Sequence, residues 1–122
     1  MTRGKVVLVA FPFDDFSTHK VRPAVCLTEP LTSHRHVVLA LITSREPDEP
    51  LSTDVRFETT DPDFGATGLH VASTLRTHRL LTMSSAAIRR EIGASSPALW
   101  ARVAVAIHRL FNGDSPEVAA QR

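Results

Sequence analysis

The sequence predicts a mainly β protein with one C-terminal helix, an α+β chain whose short strands form a small barrel or curled sheet. Three observations carry this prediction. Seven-residue, mostly apolar runs recur at 5–11, 22–28 and 37–43, too short for typical helices and rich in β-branched residues. Helical periodicity is confined to one segment near the C-terminus. No helical pattern alternates with the strands and no segment repeats, which excludes a βαβ architecture.

The first run, KVVLVAF at 5–11, reads as a buried strand stopped by Pro12. Residues 12–21 form a polar loop, and RPAVCLT at 22–28 gives the second strand. Residues 29–34 are turn-like, with Pro30 and Ser33, and VVLALIT at 37–43 is the third strand, ending abruptly in Thr43-Ser44-Arg45. Residues 46–50 (EPDEP) are a loop by composition. DVRFE at 54–58 alternates polar and apolar, as a strand with one exposed face does. A turn region at 61–68 precedes a strand over 69–75, continuing through 76–83. Ser96 before Pro97 is an N-cap followed by proline at the first helical position. Leu99, Val103, Ile107 and Leu110 recur at helical spacing, with Trp100, Ala104 and Phe111 widening the stripe and Asn112-Gly113 supplying the stop. A single domain over 1–113 and a frayed tail over 114–122 are expected.

The chain has 122 residues, 43% hydrophobic and 22% charged, which suits one soluble globular domain and excludes the disordered class. Its one cysteine, Cys26, lies in an apolar run and cannot form an internal disulfide, so a reducing cytoplasm fits. No apolar run approaches the roughly 18 residues that span a bilayer, and no membrane association is expected. Residues 3–13 mimic a short signal peptide, but Asp14-Asp15 stand where a small-residue cleavage site is needed.

A formal net charge of +1 conceals segregation along the chain. Residues 46–63 carry Glu46, Asp48, Glu49, Asp54, Glu58, Asp61 and Asp63 against Arg56, while the flanking segments are basic. That pattern permits a cationic face for a polyanion with an acidic lobe elsewhere, or a surface of mixed sign if folding interleaves the segments.

The chemistry concentrates in the stretch 11–27. Its loop ends on Lys20 and Arg22, and Pro23 restricts the backbone beside Arg22, so a planar, permanently charged fork leaves from a defined place and suits a phosphate. Lys20 suits phosphate steering. A histidine's ordinary range lies near neutrality, which makes His19 a candidate acid or base, with a solvated loop histidine as the competing role. Ser44 and Ser73 are candidate hydroxyl donors. Phe16 is the candidate for stacking a nucleic-acid base, with burial under the loop as the competing role. His70 and His78 form no metal-ligand spacing with Cys26 or a carboxylate pair, so no metal and no cofactor are predicted.

In order, KVVLVAFPFDD, HKVRPAVCLT, VVLALITS, GLHVASTLRT and the terminal helix resemble the MazF/PemK-like toxins of type II toxin-antitoxin systems, over roughly residues 4–111. The resemblance implies an SH3-like barrel, a homodimer, metal-independent and sequence-selective cleavage of single-stranded mRNA, and a cognate antitoxin that fills the RNA groove. It matches Arg22 to the family's catalytic arginine and Thr43 to its catalytic threonine. Arg76 falls where the family often has a basic residue. Where some members carry a further arginine and aspartate, this chain has Val71 and Ser73, which shifts the burden onto Arg22 and Thr43. Two functions from different classes follow: a ribonuclease acting by attack of the RNA 2′-hydroxyl, and a catalytically silent SH3-like module binding nucleic acid or a protein. DNA gyrase poisoning, known for a related barrel, is a third that the Arg22 and Thr43 pair does not favour.

Overall fold

A computed structural model of the chain describes residues 1–10 and 21–113. Six strands, β1 (Lys5–Ala10), β2 (Val21–Cys26), β3 (His36–Thr43), β4 (Asp54–Phe57), β5 (Ser73–Ser84) and β6 (Ile88–Ala94), precede one helix, α1 (Pro97–Asn112). They form a single antiparallel sheet in the order β4-β5-β3-β2-β1-β6. The mainly β fold with one terminal helix is as the sequence predicts. The sheet is open, with β4 and β6 as edges, so its form is the curled sheet and not the closed barrel.

The curl follows from chain length. Ser84 ends β5 opposite His36, whereas Ile88 starts β6 opposite Val9, whose β2 partner is Arg22 at the far end of the sheet. In a flat sheet those positions lie four strand spacings apart, about 19 Å, before any offset along the strands. The step from Ser84 to Ile88 reaches at most about 14 Å. The sheet therefore coils until its distant corners meet.

Strands β1, β2 and β3 read as continuous apolar runs because both of their faces are buried. Val6, Val25, Ala40 and Ile42 point to one face, where Val55, Phe57 and Leu75 join Leu99, Val103 and Ala106 of α1. Val7, Val9, Ala24, Cys26, Val37, Leu39 and Leu41 point to the other, packed by Leu81, Met83 and Ile88. The first face is sealed by the helix and the second by the curl. Truncating a side chain as buried as Phe57, 1% exposed, costs about 3–5 kcal/mol.

The helix starts and stops where the sequence places it. Ser96 Oγ accepts from the Leu99 amide at 3.1 Å and donates to Asp63 Oδ2 at 2.8 Å, Pro97 opens the first turn, and Gly113 caps the end with φ 73°. Leu99 and Val103 are buried, while Phe111 is 68% exposed and lies in a groove of about 360 Å³ with Leu27, Trp100 and Ile107.

Two differences from the sequence reading concern the second half. The strand expected from residue 69 begins at Ser73, because a 3-10 turn at Gly65–Thr67 and Gly68 in the left-handed region carry the chain to it. Strand β6 has no counterpart in the sequence reading. Its sequence IRREIGA is an edge strand with Arg89, Arg90 and Glu91 exposed, so it lacks the apolar run that marks β1 to β3.

Candidate functional site

The start of β2 and the end of β3 are antiparallel neighbours, which brings Arg22 and Thr43 to one end of the sheet. Both line a cleft of about 340 Å³ together with Arg76, His78 and Arg79 of β5, and Arg45, Glu46 and Asp48 of the loop after β3. Thr43 Oγ1 accepts from the Arg45 amide at 3.1 Å. With its oxygen engaged by the backbone, the Thr43 hydroxyl keeps its own hydrogen to donate.

Arg76 is held by β4, its partner in the ladder. Its Nε stands 3.1 Å from Asp54 Oδ1, off the hydrogen-bond axis, so the contact is an ion pair, and Nη2 donates to the Glu49 carbonyl at 3.3 Å. Asp54 in turn accepts from the Leu51 amide through Oδ2 at 2.9 Å. These contacts fix Arg76 at the cleft wall.

His78 and Arg79 reach the cleft through a break in register. Ala40 pairs with Leu80 but Leu41 pairs with Arg76, so residues 77–79 form a bulge on β5. Thr77, fully buried, pins the bulge by donating from Oγ1 to the Thr53 carbonyl at 2.7 Å. Partial desolvation and then the neighbouring Arg76 push the His78 imidazole below its ordinary pKa, with Arg79 adding to the effect and Asp54 opposing it.

Consecutive strand residues point to opposite faces. Thr43 lines the first cleft, and Ser44 lines a second of about 470 Å³ with Ser73, His70 and Arg90 among apolar walls that include Leu69 and Ile92. Arg22 lines both clefts and joins them. Ser73 is 2% exposed and donates from Oγ to the Val71 carbonyl at 2.9 Å, so its hydroxyl hydrogen is used within the chain.

Of the residues singled out in the sequence, Arg22, Thr43 and Arg76 meet in one cleft and Ser44 and Ser73 in the adjoining one. His19, Lys20 and Phe16 lie outside the described residues. The sequence reading did not select His78, Arg79 or Arg90 for the site. The run LRTHRL at 75–80 carried a signal for the first two: three basic groups in four residues break the strand alternation where the bulge forms. Among the described residues no group of three His, Cys, Asp or Glu side chains is placed to hold a metal ion, and no helix is long and apolar enough to cross a membrane.

Residues 2–111 match the family model described as PemK-like, MazF-like toxin of type II toxin-antitoxin system. A comparison with curated protein sequences gives no match. Among solved structures the chain is similar to the Mycobacterium tuberculosis toxin MazF-mt6, with a TM-score of 0.68 at 22% identity over 91% of this chain and 99% of that one. An endoribonuclease in complex with its cognate antitoxin from a Mycobacterial species aligns with a TM-score of 0.68 at 15% identity, covering 95% and 99%. MazF in a MazE-MazF structure from Deinococcus radiodurans gives 0.66 at 14% identity, covering 93% and 97%.

Proposed function

The chain belongs to the PemK-like, MazF-like toxins of type II toxin-antitoxin systems, and from that premise we propose that it is a cytoplasmic endoribonuclease that cuts single-stranded mRNA at selected sequences. The observation that carries the reading is the meeting of Arg22 and Thr43 in one cleft. Attack of the RNA 2′-hydroxyl on the adjacent phosphorus yields a 2′,3′-cyclic phosphate and a 5′-hydroxyl, with negative charge growing on the phosphoryl oxygens. The Arg22 guanidinium offers a planar, charged pair of donors to those oxygens. Thr43 adds a neutral donor whose orientation the Arg45 amide sets. No step in this chemistry calls for a metal.

The position of Arg22 between two clefts supports RNA as the substrate, since a phosphodiester at Arg22 would have one nucleotide on each side. A cognate antitoxin with an acidic segment fits the same arginine-lined surface, and a homodimer fits the exposed Phe111 and Val105 of α1. Sedimentation showing only monomer at micromolar concentration would count against the dimer.

Purified protein incubated with long RNA in EDTA tests the reading. Cleavage with cyclic-phosphate ends is expected, falling at least 10²-fold in Arg22→Ala and about 10²–10³-fold in Thr43→Val, the range for loss of one charge-stabilising donor. Thr43→Ser, which keeps the oxygen in place, should retain most activity. Intact RNA at high protein excess would leave the silent binding module as the surviving reading.

A further inference from the structure

Arg22 and Thr43 account for the charge that develops at phosphorus, but neither takes the proton of the attacking 2′-hydroxyl. An arginine cannot act as a base at neutral pH, and a threonine hydroxyl is far too weak an acid or base to do so unaided. Among the described residues, the other ionisable groups lining their cleft are His78, Glu46 and Asp48, besides the arginines. Glu46 lies 3.5 Å from Arg56 in an ion pair, and both carboxylates belong to an exposed loop at the rim of the cleft. An imidazole matches the task better, because base catalysis is most effective when the pKa lies near the working pH. His70 lines the other cleft. His36 sits at the opposite end of β3 and His108 on α1.

The backbone presents His78 to the cleft by a built device. The bulge at 77–79 lies in β5, and Thr77 locks it to the Thr53 carbonyl from a fully buried position. His78 is thus aimed by an anchored segment next to Arg76, itself tied to Asp54.

We propose that His78 is the general base of the reaction, taking the 2′-hydroxyl proton while Arg22 and Thr43 hold the phosphoryl oxygens; the assignment rests on the ribonuclease reading above. The 2′-oxygen to phosphorus bond forms as the phosphorus to 5′-oxygen bond breaks. The 2′-hydroxyl proton passes to the neutral imidazole, water protonates the departing 5′-oxygen, and His78 later returns its proton to solvent, so charge and atoms balance. The groups facing His78 favour the neutral form on balance. Arg76 and Arg79 on β5, Arg22 on β2 and Arg45 beyond β3 disfavour the imidazolium, while Asp54 on β4 and Glu46 and Asp48 at the rim favour it. Partial desolvation and Arg76 lead the balance and push the ring below its ordinary pKa, toward the neutral form.

The test is the single-turnover cleavage rate of long single-stranded RNA at saturating protein from pH 5 to 8, for wild type, His78→Asn, His78→Gln and Arg22→Ala. His78 is exposed, so both of its variants should fold, as circular dichroism would verify. Expected are a wild-type rate that falls below an inflection under pH 6.5, and His78 variants slowed about 10²–10³-fold with that acid limb lost. Their half-saturating protein concentration should stay within about threefold of wild type, as for a group acting in the chemical step. A histidine resonance absent from the His78→Asn spectrum should titrate below 6.5 in the wild type. Wild-type activity abolished by Arg22→Ala, but with His78 variants cleaving within threefold and keeping the acid limb, would overturn the role of His78 alone. A His78 resonance titrating above 6.5 would overturn it as well. Inert wild-type protein would overturn the ribonuclease reading and the base assignment together.

Discussion

Gly93→Ala should be among the most damaging one-carbon changes in this chain. A Cβ at Gly93 on β6 would sit 2.4 Å from the Ala66 carbonyl oxygen and 2.4 Å from both the carbonyl carbon and oxygen of Thr67. Ordinary carbon contacts are about 3.5–4 Å, so backbone must retreat by about 1 Å. It cannot do so cheaply. Thr67 is fully buried, its Oγ1 donates to the Phe64 carbonyl at 2.6 Å and accepts from the Leu69 amide at 3.2 Å, and these bonds set the turn that leads into the second cleft. Overpacking against backbone of this kind lies near the upper end of the usual ~1–3 kcal/mol. Alanine recovers about 0.4–1 kcal/mol by restricting the unfolded chain, leaving a net cost of about 2 kcal/mol. For a chain of this length that lowers the melting temperature by about 8 °C. Gly65→Ala is the internal control, since nothing lies within 4 Å of a Cβ there and its melting temperature should hold or rise slightly. Differential scanning calorimetry measures both. A Gly93→Ala melting point within about 2 °C of wild type would refute the close approach of the 65–67 turn to β6.

Three further outcomes are expected. Ser96→Ala removes the acceptor for the Leu99 amide and the donor to Asp63, and should cost about 1 kcal/mol in urea denaturation; an unchanged midpoint would deny the cap. Burial first, then Glu91 and Glu29, pushes the Cys26 thiol up to about 11, so an aromatic disulfide reagent at pH 8 should leave native protein unlabelled and react fully in denaturant. Labelling of native protein would contradict that burial. Glu29 accepts the Thr2 and Arg3 amides at 2.8 and 3.0 Å, which lowers its carboxyl below the ordinary 4.5. A depressed carboxyl stabilises the fold at pH above its unfolded value and loses that contribution as pH falls through the folded one. The difference in denaturation midpoint between wild type and Glu29→Gln should therefore be present at pH 7 and shrink below pH 4; a constant difference down to pH 3 would remove the carboxylate from the effect.

Local signals made much of the fold legible. β1 to β3 announce themselves because both faces of each are buried over most of their length, so apolar residues run on continuously between polar ones near the strand ends. The helix announces itself through Ser96-Pro97 and Asn112-Gly113, where capping is decided by adjacent residues. β6 is silent because an edge strand needs only one ladder partner and tolerates Arg89, Arg90 and Glu91 on its exposed side. Arg22 could be selected from its Pro23 neighbour and Thr43 from its place in the matching strand end, but their meeting depends on the register of β2 against β3. For His78 the sequence offered only the broken alternation of LRTHRL, and which face the histidine takes is decided by the bulge at 77–79, a matter of register against β3.

The charge pattern shows how a one-dimensional signal is altered by folding. The acidic stretch 46–63 does not form a lobe apart from the arginines. Arg56 meets Glu46 at 3.5 Å and Glu58 at 2.7 Å, Asp54 holds Arg76 at 3.1 Å, and Arg102 lies 3.9 Å from Asp61. Most of these pairs are exposed and contribute little stability singly. The exception is Asp54 with Arg76, whose side chains are 11% and 16% exposed, and its consequence is positional. Anchored through Nε and Nη2, Arg76 is held at the wall of the cleft that Arg22 also lines, and its charge acts on His78. The acidic segment thus shapes the cleft by immobilising one of its arginines on the strand that bulges one residue later, where the Arg76 charge pushes the His78 imidazole below its ordinary pKa and Asp54 opposes it.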